Sequence, residues 1–115
     1  MFEDRTVVGL TEKITLNGKG HKKVEITARI DTGATKSSMD IELANQLQLG
    51  PIVKSKIVKS AHGKTTRPVL WAEIYLAGKK IRSMFTLADR KHMKYRVLIG
   101  QNVLKKGFVI DPLKQ

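Results

Sequence analysis

The sequence lacks cysteine altogether and contains only three prolines among 115 residues. Without cysteine there is no disulfide framework and no thiol nucleophile, and the chain suits a reducing compartment, so we predict a cytoplasmic protein. No apolar run approaches the ~20 residues that a membrane helix needs, and the amino-terminal residues do not follow the order of a secretory signal, so no membrane association is expected. Aromatic residues make up 5%, too few to supply stacking platforms for single-stranded nucleic acid.

Acidic residues are scarce as well: 10 Asp and Glu stand against 22 Lys and Arg, for a net charge of +12. No acid occurs between Glu42 and Glu73, a stretch that carries five cations, Lys54, Lys56, Lys59, Lys64 and Arg67. A second basic cluster consists of Arg90, Lys91, Lys94 and Arg96. Such a surface attracts anionic partners or serves only as a well-solvated exterior, and composition leaves both alternatives open.

Most of the chain alternates apolar and polar residues with a period of two, which predicts strands. Two of these strands flank the turn signal Asn17-Gly18, and the later ones cover residues 53–58, 67–76, 81–87, 96–99 and 108–110. A helix is predicted to begin after Asp40 and to stop at Gly50-Pro51, with an apolar stripe of Ile41, Ala44 and Leu47. A short helical turn is expected around Asn102. Many short strands separated by turns predict an all-β barrel or sandwich in one domain, residues 1–115.

Asp31 follows directly on the alternating segment 24–30 and begins the triplet Asp31-Thr32-Gly33. A strand that ends there delivers a carboxylate, and the glycine allows a sharp turn that exposes it. The same triplet is ordinary turn chemistry, so the alternative is that Asp31 merely caps a turn. The run Leu98-Ile99-Gly100-Gln101-Asn102-Val103-Leu104 follows much later in the chain.

Taken together, these segments resemble the retropepsins, the single-lobe aspartic proteases, over nearly the whole chain. Within that group the chain is more similar to a bacterial and archaeal family labelled ATP-dependent zinc proteases. The matching residues are Asp31-Thr32-Gly33-Ala34 with Ser37, Arg67-Pro68-Val69, Asp89-Arg90 with Met93, Tyr95-Arg96-Val97-Leu98-Ile99-Gly100, and Val109-Ile110-Asp111-Pro112. The resemblance implies a closed six-stranded β-barrel with a flap hairpin and one or two short helices.

The resemblance also assigns roles to individual residues. Asp31 would supply the catalytic carboxylate, in an active-site loop completed by Thr32, Gly33 and Ala34. The flap tip that covers the substrate would consist of Ala61, His62, Gly63 and Lys64, and the strand passing under the loop would contain Leu98, Ile99 and Gly100. Because aspartic protease chemistry needs two carboxylates that share a proton, a chain with one such triplet is predicted to be one lobe of a two-fold homodimer.

The zinc and ATP of the family label find little support in the sequence. The histidines His21, His62 and His92 are scattered, and neither cysteine nor an HExxH motif is present, so no metal site is predicted. No GxxxxGK[ST] loop occurs, and no cofactor is expected. The remaining candidates receive structural roles: Ser37 and Ser38 help to begin the helix, Asp111 ends a strand, and Asp89 is either an ion-pair partner or part of a substrate rim.

The function predicted from the sequence is a homodimeric aspartic peptidase that hydrolyses peptide or protein substrates. The family is associated with ligases that add glutamate to proteins, and the basic stretch would surround the flap, so acidic or glutamate-rich substrates are the sharper expectation. The alternative is a non-catalytic, basic adaptor of retropepsin fold that binds RNA or the ribosome. This nucleic-acid partner is the less favoured prediction, because it leaves the Asp-Thr-Gly triplet without a role.

Overall fold

The computed structural model describes residues 4–61 and 63–114. Within these residues the chain forms nine strands and two short helices. In chain order they are β1 (Thr6–Val8), β2 (Thr11–Asn17), β3 (Lys23–Ile30), β4 (Ser37–Asp40), α1 (Ile41–Gln46), β5 (Lys54–Ser60), β6 (Gly63–Leu76), β7 (Lys79–Ala88), β8 (Val97–Ile99), α2 (Gln101–Leu104) and β9 (Phe108–Ile110).

Six of the strands close into a barrel in the order β2-β3-β8-β4-β7-β6. The ring closes because the last four residues of β6 pair with the end of β2, with Ile14 opposite Leu76 and Asn17 opposite Glu73. The first half of β6 leaves the ring and pairs with β5 in a hairpin. This architecture confirms the predicted closed six-stranded barrel with a hairpin and two short helices.

The core lies inside the barrel, and strand alternation determines which side chains enter it. In β6 the residues Leu70, Ile74 and Leu76 are buried, whereas Trp71 and Tyr75 between them point outward and are exposed. Side chains from the other five barrel strands, from β1 and β9 and from both helices complete the same cluster. Burial of apolar surface contributes roughly 25 cal/mol of stabilising free energy per Å². It therefore stabilises the barrel strands to which the loops are attached.

Helix α1 begins as predicted, with Asp40 as its N-cap accepting a hydrogen bond from the Leu43 backbone N–H at 3.2 Å. Two details of the prediction were wrong. Ile41 is exposed, because the buried carboxylate of Asp40 fixes the start of the helix so that Leu43, Ala44 and Leu47 face the core. Ser37 and Ser38 do not help to begin the helix; they belong to β4, which pairs with β7 and β8.

No strand was expected at residues 6–8. There β1 pairs in parallel with β9, placing Thr6 opposite Phe108 and Val8 opposite Ile110. Three residues are too few for a periodic signal, and the partner lies at the other end of the chain, so the pairing has no local signature.

None of the helices in the described ranges is long and apolar enough to span a membrane.

Candidate active site

Asp31 lies where β3 and β8 run side by side in parallel, immediately after the last residue of β3. Its backbone N–H donates to the carbonyl of Ile99 at 2.8 Å, which extends the ladder by one residue and fixes the point where the chain leaves the barrel. Its half-buried carboxylate accepts a hydrogen bond from the Gly33 backbone N–H through Oδ1 at 3.0 Å. The loop thus orients one carboxylate oxygen and leaves the group accessible.

Helix α2 fastens the Asp31 loop from the other side. The Gln101 backbone N–H donates to the carbonyl of Ala34 at 2.8 Å, and its side-chain Nε2 donates to the carbonyl of Thr32 at 2.8 Å. The Asn102 backbone N–H adds a bond to the carbonyl of Thr35 at 3.2 Å. Three carbonyls of the loop are therefore held by two consecutive residues, while Thr32 and Gly33 themselves remain exposed.

The run Leu98-Ile99-Gly100 passes next to this loop, between β3 and β4. Leu98 is paired with Arg29 on one side and with Ser38 on the other, and Ile99 is fully buried. A Cβ atom on Gly100 would lie 2.5 Å from the carbonyl oxygen of Lys36 and 2.8 Å from that of Ala34. Only glycine fits there, because the atoms in the way are backbone rather than flexible side chain.

A polar network that the sequence did not predict connects the buried Ser37 to the half-buried Asn102. The Asn102 Oδ1 atom accepts bonds from the Ser37 backbone N–H at 2.9 Å and from its hydroxyl at 2.8 Å. The Asn102 Nδ2 atom donates to Ser83 Oγ at 3.0 Å and to the carbonyl of Met84 at 2.9 Å. The Ser37 hydroxyl also accepts from the Gly100 N–H at 2.9 Å, so one amide joins β4, β7 and α2. The sequence signal was a polar residue at the start of an apolar helical turn.

Asp40 forms a second buried polar site at the end of β4. Its side chain is fully buried and accepts bonds from Arg96 at 2.6 Å and from the Arg90 backbone N–H at 2.8 Å. Burial alone would raise the pKa of Asp40. The hydrogen bond from Arg96, the backbone bonds from Arg90 and Leu43, and the positive charge of Arg96 outweigh it and hold the pKa below its ordinary value of 3.8.

The β5–β6 hairpin projects from the barrel at the position expected for a flap. Ser60 pairs with Gly63 at the end of the hairpin, and Ala61 follows β5 in a turn. Gly63 has a φ of 113°, which favours glycine. Lys64 lies in β6, opposite Lys59, and His62 falls outside the described residues. A second like-charge pair, Lys56 opposite Arg67, lies further down the hairpin.

Between the hairpin and the Asp31 loop lies a cleft of about 260 Å³. Its lining includes Ala34 and Thr35 from the loop, and Lys36, Lys56, Val58 and Arg67 around them. A second cavity of about 430 Å³ adjoins the cleft, since Lys36, Lys56 and Thr86 line both. The structure therefore brings the Asp31 loop and the flap hairpin to one concave surface, and the side chains around it are basic.

The remaining candidates lie elsewhere. Asp89 and Asp111 each accept a bond from the backbone N–H two residues on, at 3.3 Å from Lys91 and 2.9 Å from Leu113. Both are exposed turn residues. Within residues 4–61 and 63–114, no three His, Cys, Asp or Glu side chains are grouped closely enough to hold a metal ion.

The carboxyl-terminal part of the chain matches a known protein family. A family model described as RimB-like, for the retropepsin-like aspartic endopeptidase RimB, matches residues 42–115, well over half of the chain. The chain belongs to the RimB-like family. The matched segment contains the flap hairpin, β8 and α2, and it begins beyond the Asp31 loop. No curated protein matches the sequence significantly.

Solved structures agree with this assignment at the level of the fold. A Legionella pneumophila subsp. pneumophila str. Philadelphia 1 protein of unknown function is 22% identical, with a TM-score of 0.66 over 96% of this chain and 95% of its own. The simian foamy virus (mac) protease, solved in solution, is 16% identical, with a TM-score of 0.62 over 83% of this chain and 91% of its own. At such identities the likeness shows a shared retropepsin-like fold.

Proposed function

We propose that this RimB-like chain is one lobe of a homodimeric aspartic peptidase in which Asp31 is the catalytic carboxylate. The observation that carries the proposal is the position of Asp31. It directly follows barrel strand β3, the Gly33 N–H donates to its carboxylate, and Ala34 and Thr35 of its loop line the cleft next to the hairpin. One carboxylate does not complete the chemistry, and the exposed Thr32 and Gly33 leave the loop available to a second copy.

The dimer would place two Asp31 carboxylates close together on the two-fold axis. Two like charges about 3 Å apart do not both ionise, so one stays protonated and the pair titrates as a unit. The ionised carboxylate takes a proton from water as the water oxygen attacks the peptide carbonyl carbon, and the protonated carboxyl gives its proton to the carbonyl oxygen, which yields a gem-diol. The newly protonated carboxyl then gives its proton to the leaving nitrogen, while the other carboxylate takes a proton from a diol hydroxyl. The C–N bond breaks, and the dyad again holds one proton.

Acidic peptide segments are the substrates that the cleft fits best. Lys36, Lys56 and Arg67 line it, and neither Asp nor Glu lines the described part of the cleft or of the adjoining cavity. A concave surface whose side chains carry charge of one sign strengthens the local electrostatic potential and attracts ligands of the opposite charge. The absence of cysteine suits a cytoplasmic location, which we include in the proposal.

The test is cleavage of a mixed peptide library that contains glutamate-rich members, by wild type and Asp31→Asn, at protein concentrations where a dimer is demonstrated. The expected result is a loss of activity of about 10³-fold or more in Asp31→Asn. Asp111→Asn is the matched control, because Asp111 also accepts a bond from the N–H two residues on and lies in an exposed turn. Unchanged activity in Asp31→Asn would refute the catalytic assignment.

The second candidate is the non-catalytic RNA-binding or ribosome-binding adaptor, which the net charge of +12 favours. RNA affinity measured against salt concentration separates the two. Tight, salt-sensitive binding that Asp31→Asn leaves intact, together with no peptidase activity in a demonstrated dimer, would favour the adaptor. Cleavage that depends on Asp31 would favour the peptidase.

A further inference from the structure

The cleft beside the Asp31 loop and the cavity next to it differ in their chemistry. The cleft adjoins Ala34 and carries the cations Lys36, Lys56 and Arg67. The cavity is larger, about 430 Å³, and the apolar residues Val69 and Met84 line it together with Lys54. Lys36 and Lys56 stand at the boundary because they line both. One continuous groove thus offers a cationic part next to the loop and an apolar part beyond it.

The hairpin presents its two like-charge pairs on opposite faces. Residues directly opposite in an antiparallel pair share a face, and successive residues of one strand alternate. Lys56 and Arg67 are opposite each other, and both line the cleft. Lys59 and Lys64 are also opposite each other, but Lys59 is three residues from Lys56 and so faces the other way. Only the Lys56–Arg67 pair can contact a peptide in the cleft.

We propose that the groove recognises a two-part motif: an acidic side chain held by Lys36, Lys56 and Arg67, and an apolar side chain two residues away in the cavity over Val69 and Met84. The proposal rests on the proposed function and specifies the substrate of that site. The spacing of two follows because side chains on the same side of an extended peptide recur at every second residue.

The two-part motif predicts an order of peptide affinities that differs from the order expected from charge attraction alone. A run of glutamates supplies the acidic part and leaves the apolar cavity without a matching group, so burial of apolar surface contributes nothing to its binding. A peptide with one acidic and one apolar residue at the stated spacing is expected to bind more tightly than a purely acidic peptide of higher charge. Bulk electrostatic steering predicts the reverse order.

The experiment measures binding of fluorescent peptides to the full chain in the Asp31→Asn background, where no cleavage intervenes, and repeats the series as cleavage by the enzyme with Asp31 intact. The parent peptide carries Glu and Leu two residues apart. Its two variants replace Glu by Gln or Leu by Ala. Each replacement is expected to weaken binding, by about fivefold for the charge and about tenfold for the apolar side chain.

Lys56→Gln and Lys59→Gln form a matched pair of variants. Both remove one charge from β5, and both relieve one cross-strand repulsion, but only Lys56 lines the groove. The preference for Glu over Gln is expected to fall by about threefold or more in Lys56→Gln and to stay unchanged in Lys59→Gln. Met84→Ala should move the apolar preference from Leu toward the larger Phe, because it enlarges the floor of the cavity.

Equal loss of the Glu preference in both lysine variants would overturn the proposal, as would binding that ignores the Leu to Ala change. Absence of binding by every peptide would overturn it as well. Failure of the proposed function gives a different pattern: the enzyme with Asp31 intact cuts nothing, while the Asp31→Asn protein still discriminates among the peptides. In that case the groove reads the motif without hydrolysing it, which separates the two outcomes.

Discussion

The loop that carries Asp31 and the β5–β6 hairpin lie on two sides of one cleft and are held by different forces. The loop receives hydrogen bonds from Gln101 and Asn102, and Gly100 packs beneath it without room for a methyl group. The described part of the outer hairpin, from Lys54 to Thr66, contains no buried residue and has lysine opposite lysine at positions 59 and 64. The loop is held by packing and by backbone bonds, whereas the hairpin is held mainly by its own ladder.

This difference suits the two tasks that the proposed function assigns to the loop and the hairpin. A catalytic carboxylate has to be held near its productive geometry before the substrate arrives, which favours a buried, fully bonded support. A flap has to open and close, which favours a segment with few buried contacts. Mutations beneath the loop should therefore act on global stability, and mutations in the outer hairpin should act locally.

One methyl group added beneath the loop should destabilise the protein more than any other change considered below. Gly100→Ala places a Cβ within 2.5 Å of the Lys36 carbonyl oxygen, and relief requires the backbone to move. We expect the free energy of unfolding to fall by about 3 kcal/mol or more, measured by urea denaturation.

Gly20→Ala is the control for Gly100→Ala. Gly20 has a φ of 66° and nothing within 4 Å of an added Cβ, so only conformational strain of about 1 kcal/mol is expected. Equal losses in the two variants would show that close packing under the Asp31 loop does not distinguish this region.

The second prediction concerns pH and the buried Asp40 carboxylate. Its pKa in the folded protein lies below 3.8, so the unfolded chain binds its proton first as the pH falls. The stability that ionised Asp40 contributes is therefore complete above the unfolded-state pKa and is lost as the pH falls through the folded-state pKa. Asp40→Asn should cost about 2 kcal/mol at neutral pH, because it leaves Arg96 without its anion.

The measurement is the difference in unfolding free energy between wild type and Asp40→Asn at pH 7, 5, 4 and 3. The difference should be constant from pH 7 to 5 and should shrink below pH 4, while contributions from other carboxylates cancel. Asp89→Asn serves as the control, because Asp89 is exposed and bonded only to its own turn in the described structure. A difference that grows toward low pH would contradict the assignment.

The same contrast explains what the sequence could and could not reveal. Alternating residues predicted most of the strands, because a side chain's face in a strand is a local property, and the motif around Asp31 predicted the barrel. The role of Asn102 was missed, since its four bonds reach Ser37, Ser83 and Met84, which are distant in sequence. The pairing of β1 with β9 was missed for the same reason. The sequence predicted only part of the cationic groove. Lys36 is distant in sequence from the hairpin lysines, and only the fold brings it next to them.

The smallest predicted effect lies in the outer hairpin. Lys59→Glu converts a like-charge pair with Lys64 into an opposite-charge pair on the face turned away from the cleft. Opposite charges directly across two strands stabilise the pair, so amide hydrogen exchange in the hairpin should slow by about twofold, while exchange in β3 and β8 should not change. The effect should disappear at 1 M salt, where exposed charges are screened. Lys22→Glu makes the same charge change in the exposed turn between β2 and β3, and it should leave hairpin exchange unaltered. If both variants slow hairpin exchange, the cause is the change in net charge. If only Lys59→Glu slows it, the cause is the pair with Lys64, and local electrostatics limit the stability of the hairpin.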